Sequence, residues 1–328
     1  MVTPQNIFEV DETGDDSDTP LGEAGPAPTR EYGRSGLIIR RFIRSKSGLL
    51  GLVLLVVIAG IAIVGPMLIK FGPAENDFAN TLSKPGVGGH ILGTDASGRD
   101  ILVRTLIGLR KSLAIGFFAA IITTSIAAVA GSSAGYFGKW VDAAIVWVID
   151  LLLVLPAFLV LAILSPILGT KGTTTHWYTL GVSPSIWFLI ILLSIFGWMI
   201  TGRVIRGMTF SLREREYVAA ARFMGVPART IITRHLLPNM ASLLIVDVTI
   251  NVAGTILAET GLSFFGFGVQ PPDVSLGTVL NDNQNFITTA SWTILPACFA
   301  LIALLLSVNL VGDALRDAID PTSGASRL

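Results

Sequence analysis

The sequence predicts an all-α polytopic membrane protein with six transmembrane helices, on three observations. Of the 328 residues, 52 % are hydrophobic and only 14 % are charged, where a soluble chain carries roughly a quarter charged residues. Mean hydropathy is +0.69. Charge is also clustered, with long uncharged runs separated by short stretches rich in Arg, Asp and Glu, which is the pattern of several spans rather than one soluble core.

Residues 1–29 form an acidic zone holding Glu9, Asp11, Glu12, Asp15, Asp16, Asp18 and Glu23 among Thr, Ser, Gly and Pro. Such a segment buries too little apolar surface to offset its ordering entropy, so a disordered tail is expected. With its acidic start and no apolar run behind it, this segment is not expected to be a secretory signal peptide. Residues 30–48 are basic and amphipathic, with Arg30, Arg34, Arg40, Arg41, Arg44 and Lys46 against Glu31.

The first span is expected over residues 49–69, the second over 112–137 and the third over 143–168. The fourth is expected over 184–200, the fifth over 240–258 and the sixth over 293–311. Each is close to or above the ~20 residues a helix needs to cross ~30 Å of hydrocarbon. Within span two, Gly131-Ser132-Ser133-Ala134-Gly135 is a small-xxx-small pattern that lets another helix approach closely. Pro156, Pro166 and Pro296 fall inside spans and are expected to kink them.

Orientation follows from the Lys/Arg bias. The basic stretch ahead of span one places the amino terminus in the cytoplasm. Alternation then places residues 70–111 outside and residues 203–239 inside, with both termini cytoplasmic, the carboxyl end being the tail at 322–328. The 203–239 loop carries Arg203, Arg206, Arg213, Arg215, Arg222, Arg229 and Arg234 against Glu214 and Glu216, whereas the loop after span five holds Asp273 and Asp282 and no Lys or Arg.

A 203–239 loop is long for a simple connection. Residues 216–224 are good helix formers with three consecutive alanines, and Gly225 suits the left-handed position that ends a helix. Pro227 fits the first turn of a second helix reaching Leu237, and Pro238 is expected to stop it before span five. A compact helix–turn–helix results, with an outward face around residues 217–224.

The run Ala219-Ala220-Ala221, then Gly225, then Leu237-Pro238 resembles the EAA loop of ABC importer permeases (EAA, three residues, Gly, nine residues, I-x-L-P). Two positions depart from it: Ala219 stands at the glutamate and His235 at the isoleucine. The run Arg234-His235-Leu236-Leu237-Pro238-Asn239 is similar to the RHxLPN of peptide-importer permeases. Further along the chain, Leu92-Gly93-Thr94-Asp95 with Gly98-Arg99-Asp100 resembles LGTDxxGRD, and Leu109–Leu113 resembles G-x-R-x-S-L. Residues 256–268 resemble ILAExxLSFLGLG, and residues 309–317 with Asp320-Pro321 resemble NLxGDxLRDxLDP. Together these identify the chain as similar to dipeptide and oligopeptide ABC permeases, which share much of the pattern with nickel permeases, in the arrangement of the C-type member of the permease pair.

The resemblance implies the type I ABC importer permease fold, with residues 112–321 as the permease core and a cytoplasmic coupling helix. It implies that Glu216, Tyr217, Ala219, Ala220, Ala221, Arg222, Gly225, Leu237 and Pro238 contact the ATPase, with Glu216 one turn before the missing glutamate. Implied partners are a B-type permease, one or two ABC ATPase subunits and an extracytoplasmic substrate-binding protein, besides membrane lipid; nucleic acid is not among them. ATP and Mg would be bound by the ATPase subunits, and no cofactor by this chain. Di- or oligopeptide import is the expected function, with nickel, glutathione or haem import as alternatives.

Other chemistry finds little footing. Gly138-Lys139-Trp140 is not a phosphate-binding loop, and HExxH and CxxC patterns are absent. Cys298 is the only cysteine, so no intrachain disulfide or cysteine metal site is expected. His90, His176 and His235 fall on different sides of the expected topology. The intramembrane acids Asp150 and Asp247 are the best argument for a stand-alone proton-coupled transporter, since such groups are costly in hydrocarbon. The competing reading pairs them with Arg203, Arg206 or polar groups such as Asn251, and Asp150, Asp247 and Asn251 are the candidate substrate-path residues. Phe264, Phe265 and Phe267 on the outward loop are candidates for contact with a binding protein, or else for an interfacial anchor.

Overall fold

The computed structural model describes residues 34–170 and 183–319. The expectations for residues 1–29, His176, the closing Asp320-Pro321 and residues 322–328 lie outside the described residues. Among the described residues, all regular structure is helical. Helix α1 (Arg34–Arg44) leads through Ser45 into α2 (Lys46–Leu68), and α3 (Ile101–Phe137) follows an irregular segment. Next come α4 (Lys139–Val154), α5 (Ala157–Thr170), α6 (Pro184–Gly197) and α7 (Met199–Arg213). The short elements α8 (Glu216–Phe223), α9 (Ala228–Thr230), a π-helical turn (Ile231–Leu236) and α10 (Leu237–Asn239) lead to α11 (Ala241–Phe264), α12 (Leu276–Asn283) and α13 (Leu295–Ile319).

Among the described residues, four helices are long and apolar enough to cross a membrane alone, and the number reaches six if α4 with α5, and α6 with α7, each count as one bent span. The third expected span is therefore not straight. Its halves meet at 85°, because Pro156 removes a backbone donor and Leu155 before it is driven to extended backbone, φ −71° and ψ 131°. Pro296 does not kink its helix, since it sits in the first turn of α13, where a missing N–H costs nothing.

Two boundaries move for electrostatic reasons. Helix α3 starts at Ile101, not near 112, capped by Asp100, whose Oδ1 accepts from Val103 N at 2.9 Å. Its polar first turns hold Arg104 and Lys111, and each is neutralised by acids distant in sequence. Helix α7 carries the chain through residues 203–213, so the connecting loop opens only at Glu214.

Small residues set the helix crossings, as expected where lipid offers no hydrophobic drive to association. A Cβ on Gly131 would stand 2.5 Å from Gly202 O, and one on Gly135 2.6 Å from Thr209 Cβ. The small-xxx-small pattern thus seats α7 against α3. Gly48 and Gly51 do the same for α2 against Ala314 and Leu310 of α13. Helix α3 has 37 residues, about 55 Å at ~1.5 Å per residue, and forms the spine of the bundle. Its first turns meet residues 70–100 and α12; its last turn meets α7, where Gly135 O accepts from Arg213 at 3.1 Å.

Candidate functional site

At the far end of α3 the loop after α7 folds onto the bundle. Val218 and Ala221 of α8 are buried among Ile205, Ile231, Leu236 and Met240. Their spacing of three leaves the opposite face outward, and Glu216, Tyr217, Ala220 and Arg222 lie on it or at its edge, all exposed, with Ala219 half-buried. The expectation that Ala221 faces outward with Ala220 is corrected: i and i+3 share a helix face, so Ala221 follows Val218 inward. Two residues of the expected 217–224 face that are not among the named contact residues dominate the outer surface, Phe223 at 91 % and Met224 at 76 % exposure. Large apolar side chains held in the open mark a contact surface.

Helix α8 ends as its sequence dictates. Gly225 adopts φ +74°, its N–H bonds Arg222 O at 3.0 Å, and Val226 N–H bonds Ala221 O at 3.1 Å. These two bonds form a Schellman cap. A Cβ at Gly225 would meet nothing, so only the backbone conformation calls for glycine there. The second half of the loop is tied back to the first: Asn239 Nδ2 donates to Tyr217 Oη at 3.2 Å and to His235 O at 2.6 Å, and the His235 ring lies 6.4 Å from that of Tyr217. Leu237 is half-buried and Pro238 exposed. Pro238 lies within the first turn of α10, so the helical run continues past it and stops at Met240. Arg222 lies 5.5 Å over the Tyr136 ring at the end of α3.

The intramembrane acids are held separately. Asp247 on α11 accepts from Thr201 at 2.7 Å, Thr124 at 2.6 Å and Asn251 at 2.8 Å. Asp150 on α4 pairs with Arg203 of α7, and both are about half exposed. Arg206 donates to Asp142 at 2.6 Å, so two ion pairs fasten α4 to α7. Asp150 and Asp247 share no hydrogen-bonded network. Asn251 also lines a cavity of 270 Å³ between α5, α6 and α11, with Phe158, Phe196, Gly197, Gly254 and Thr255.

At the opposite end, residues 70–100 form a charged clasp on α3 and α12. Arg104, 3 % exposed, donates to Asp95 and Asp282 at 2.6 Å each, and Arg99 reaches the same two acids at 2.8 and 3.2 Å. His90 Nδ1 lies 2.7 Å from Asp100 Oδ2, its ring stacked on Phe71. The Asn80 amide donates to Asp77 and, as the largest influence, holds that carboxyl below its usual range. Here two arginines face two aspartates, so neither acid is buried without an opposite charge. Of the candidate phenylalanines, Phe264 packs on the core, whereas Phe265 and Phe267 are 60 % and 39 % exposed. Phe265 meets Phe158 edge-on at 5.8 Å.

Comparison with known proteins adds the following. Residues 127–323 match the family described as binding-protein-dependent transport system inner membrane component. Residues 34–85 match the N-terminal TM domain of oligopeptide transport permease C. The chain is 47 % identical over 294 residues to the oligopeptide transport system permease protein OppC of Mycobacterium tuberculosis, covering 90 % of this chain and 97 % of that protein. It is 35 % identical over 278 residues to the dipeptide transport system permease protein DppC of Alkalihalophilus pseudofirmus, covering 85 % and 86 %. A putative peptide permease protein of Brucella suis is 34 % identical over 303 residues, covering 92 % and 94 %.

Proposed function

Because this chain belongs to the family of binding-protein-dependent transport system inner membrane components, and within it to the oligopeptide and dipeptide permeases, we propose that it is the C-type, peptide-translocating half of an ATP-driven importer. Its surroundings are the bacterial inner membrane, with both termini in the cytoplasm. A B-type permease completes the path, one or two ATPase subunits engage α8, and a substrate-binding protein delivers peptide at the end bearing residues 70–111 and α12. The chain itself carries out no chemistry; nucleotide hydrolysis belongs to the ATPases. Peptide relatives favour peptide cargo over nickel, glutathione or haem.

One observation carries the coupling role: α8 fixes its inner face through Val218 and Ala221 and leaves Tyr217, Ala220, Phe223 and Met224 outward as an apolar ridge. A ridge with small Ala220 between larger side chains can enter a groove on an ATPase, with Glu216 and Arg222 at its polar rim and Gly225 setting its end. The loop's base, at Leu237 and Pro238, continues into α11, which carries Asp247 and Asn251 along the path. Movement of α8 thus reaches the peptide cavity through rigid helices.

Ala220→Trp tests this reading. The substituted chain should insert and keep its B-type partner, yet lose most ATPase co-purification or at least tenfold of peptide-stimulated ATP hydrolysis. Unchanged co-purification together with unchanged stimulation would defeat it.

A further inference from the structure

Glu259, near the end of α11, is fully buried, and no Lys or Arg pairs with it among the described residues. Its carboxyl group instead takes hydroxyls: Ser263 Oγ at 2.7 Å on Oε1, and Ser112 Oγ at 2.9 Å and Thr260 Oγ1 at 3.4 Å on Oε2. A buried carboxyl costs much free energy unless its oxygens are satisfied in this way.

Both serines have a second task. Ser263 Oγ accepts from Val269 N–H at 3.0 Å, and Ser112 Oγ accepts from Leu276 N–H at 3.2 Å. Each hydroxyl thus donates to Glu259 and accepts from a backbone amide, Val269 in the middle of the irregular stretch 265–275 and Leu276 at the residue that follows it. One side chain on α11 thereby anchors the middle of that stretch and the start of α12.

The surroundings fit closely. A Cβ on Gly108 would stand 2.9 Å from Leu276 N, and one on Gly277 2.5 Å from Thr260 O. Helix α12 cannot be seated elsewhere without opening these contacts. Arg104, Gly108 and Ser112 recur every four residues on α3, so one stripe of that helix holds all of α12: Arg104 grips Asp282 at 2.6 Å near its end, and Ser112 grips Leu276 at its start.

We infer that Glu259 is a positioning residue that locks stretch 265–275 and α12 onto α3, so that the outer end of α11, α12 and α3 move as one body when the path opens and closes. It touches no substrate. The inference rests on the transport reading above. Its consequence is mechanical: with the lock broken, motion arriving along α11 is lost in the loose joint, and ATP is hydrolysed without peptide crossing.

Glu259→Gln breaks the lock at nearly constant volume. One carboxyl oxygen becomes an NH₂ group, which donates to a serine that already accepts a backbone N–H, leaving that serine's own proton without a partner. The assay uses the full complex, with both permeases, ATPases and binding protein, in proteoliposomes. Uptake of radiolabelled trialanine and ATP hydrolysis are measured on the same vesicles. A merely structural defect lowers the number of working complexes and reduces both rates together, keeping peptide moved per ATP constant. The inference predicts that this ratio falls at least fivefold in Glu259→Gln. Ser112→Ala, which deletes a single oxygen from α3, should lower it in the same direction and carries the test where Glu259→Gln fails to assemble. A ratio unchanged in the variants that assemble, or loss of assembly in both, overturns the inference. Absence of ATP-driven uptake by the unsubstituted complex overturns the transport reading instead.

Discussion

Placing a methyl group on Gly131 and Gly135 of α3 tests how α7, and with it the coupling loop, is held. The Gly131 methyl would lie 2.5 Å from Gly202 O and 2.9 Å from Ile205 Cβ, and that on Gly135 2.6 Å from Thr209 Cβ and 2.7 Å from Arg206 O. Two of these neighbours are backbone atoms, which have no rotamer by which to yield. Ordinary contact requires α7 to withdraw by about 1 Å along several residues, a gap that forfeits a quarter to a half of each lost dispersion contact. Overpacking of this kind costs about 1–3 kcal/mol per site. The two sites press on the same helix, so their effects should not simply add. At roughly 2–4 °C per kcal/mol for a domain of this size, each single Ala variant should melt about 2–12 °C lower. Because α7 passes directly into α8, peptide-stimulated ATPase should fall alongside. Thermal unfolding of the purified complex in nanodiscs, with ATPase measured on the same sample, provides the check. Melting within about 1 °C of the unsubstituted protein, with unaltered stimulation, would refute the claim that this crossing carries α7.

Other outcomes follow from the ionic groups. Arg104→Ala removes the buried partner of Asp95 and Asp282 and leaves them only Arg99, so it should destabilise the complex by less than the about 3–5 kcal/mol of a fully unpaired buried charge, read as a lower melting temperature; Arg104→Leu paired with Asp95→Asn should recover part of it. Asp247→Asn keeps volume and leaves Thr124, Thr201 and Asn251 with an amide partner, so ATP-driven uptake should keep the same pH profile while losing rate. A profile flattened across pH 5–8 by that one substitution would argue for proton coupling through Asp247.

Much of the bundle was legible because hydropathy alone marks membrane helices, and Gly225 sits where a helix end calls for it. The start of α3 was hidden because hydropathy counts Arg104 and Lys111 as polar, while their neutralising partners Asp95, Asp282 and Asp273 are defined only by the fold. Asp100 followed by an apolar run carried the signal that could have found it. Pro156 announced the break, but the 85° size of the turn depends also on how α5 packs on α6, which no local pattern encodes. In α8 the alanine run marked the helix but not its outward side. That side is set by Val218 entering the pocket of Ile205, Ile231 and Leu236, which turns Ala221 in and leaves Phe223 and Met224 out.

The central claim, an ATP-driven peptide permease coupled through α8, is tested most directly by uptake into proteoliposomes holding this chain with its B-type partner, ATPases and binding protein. Labelled oligopeptide should enter only when ATP is present on the side bearing α8, should continue after the proton gradient is collapsed, and should stop with Ala220→Trp. Uptake by this chain alone, driven by a proton gradient without ATP, would contradict it.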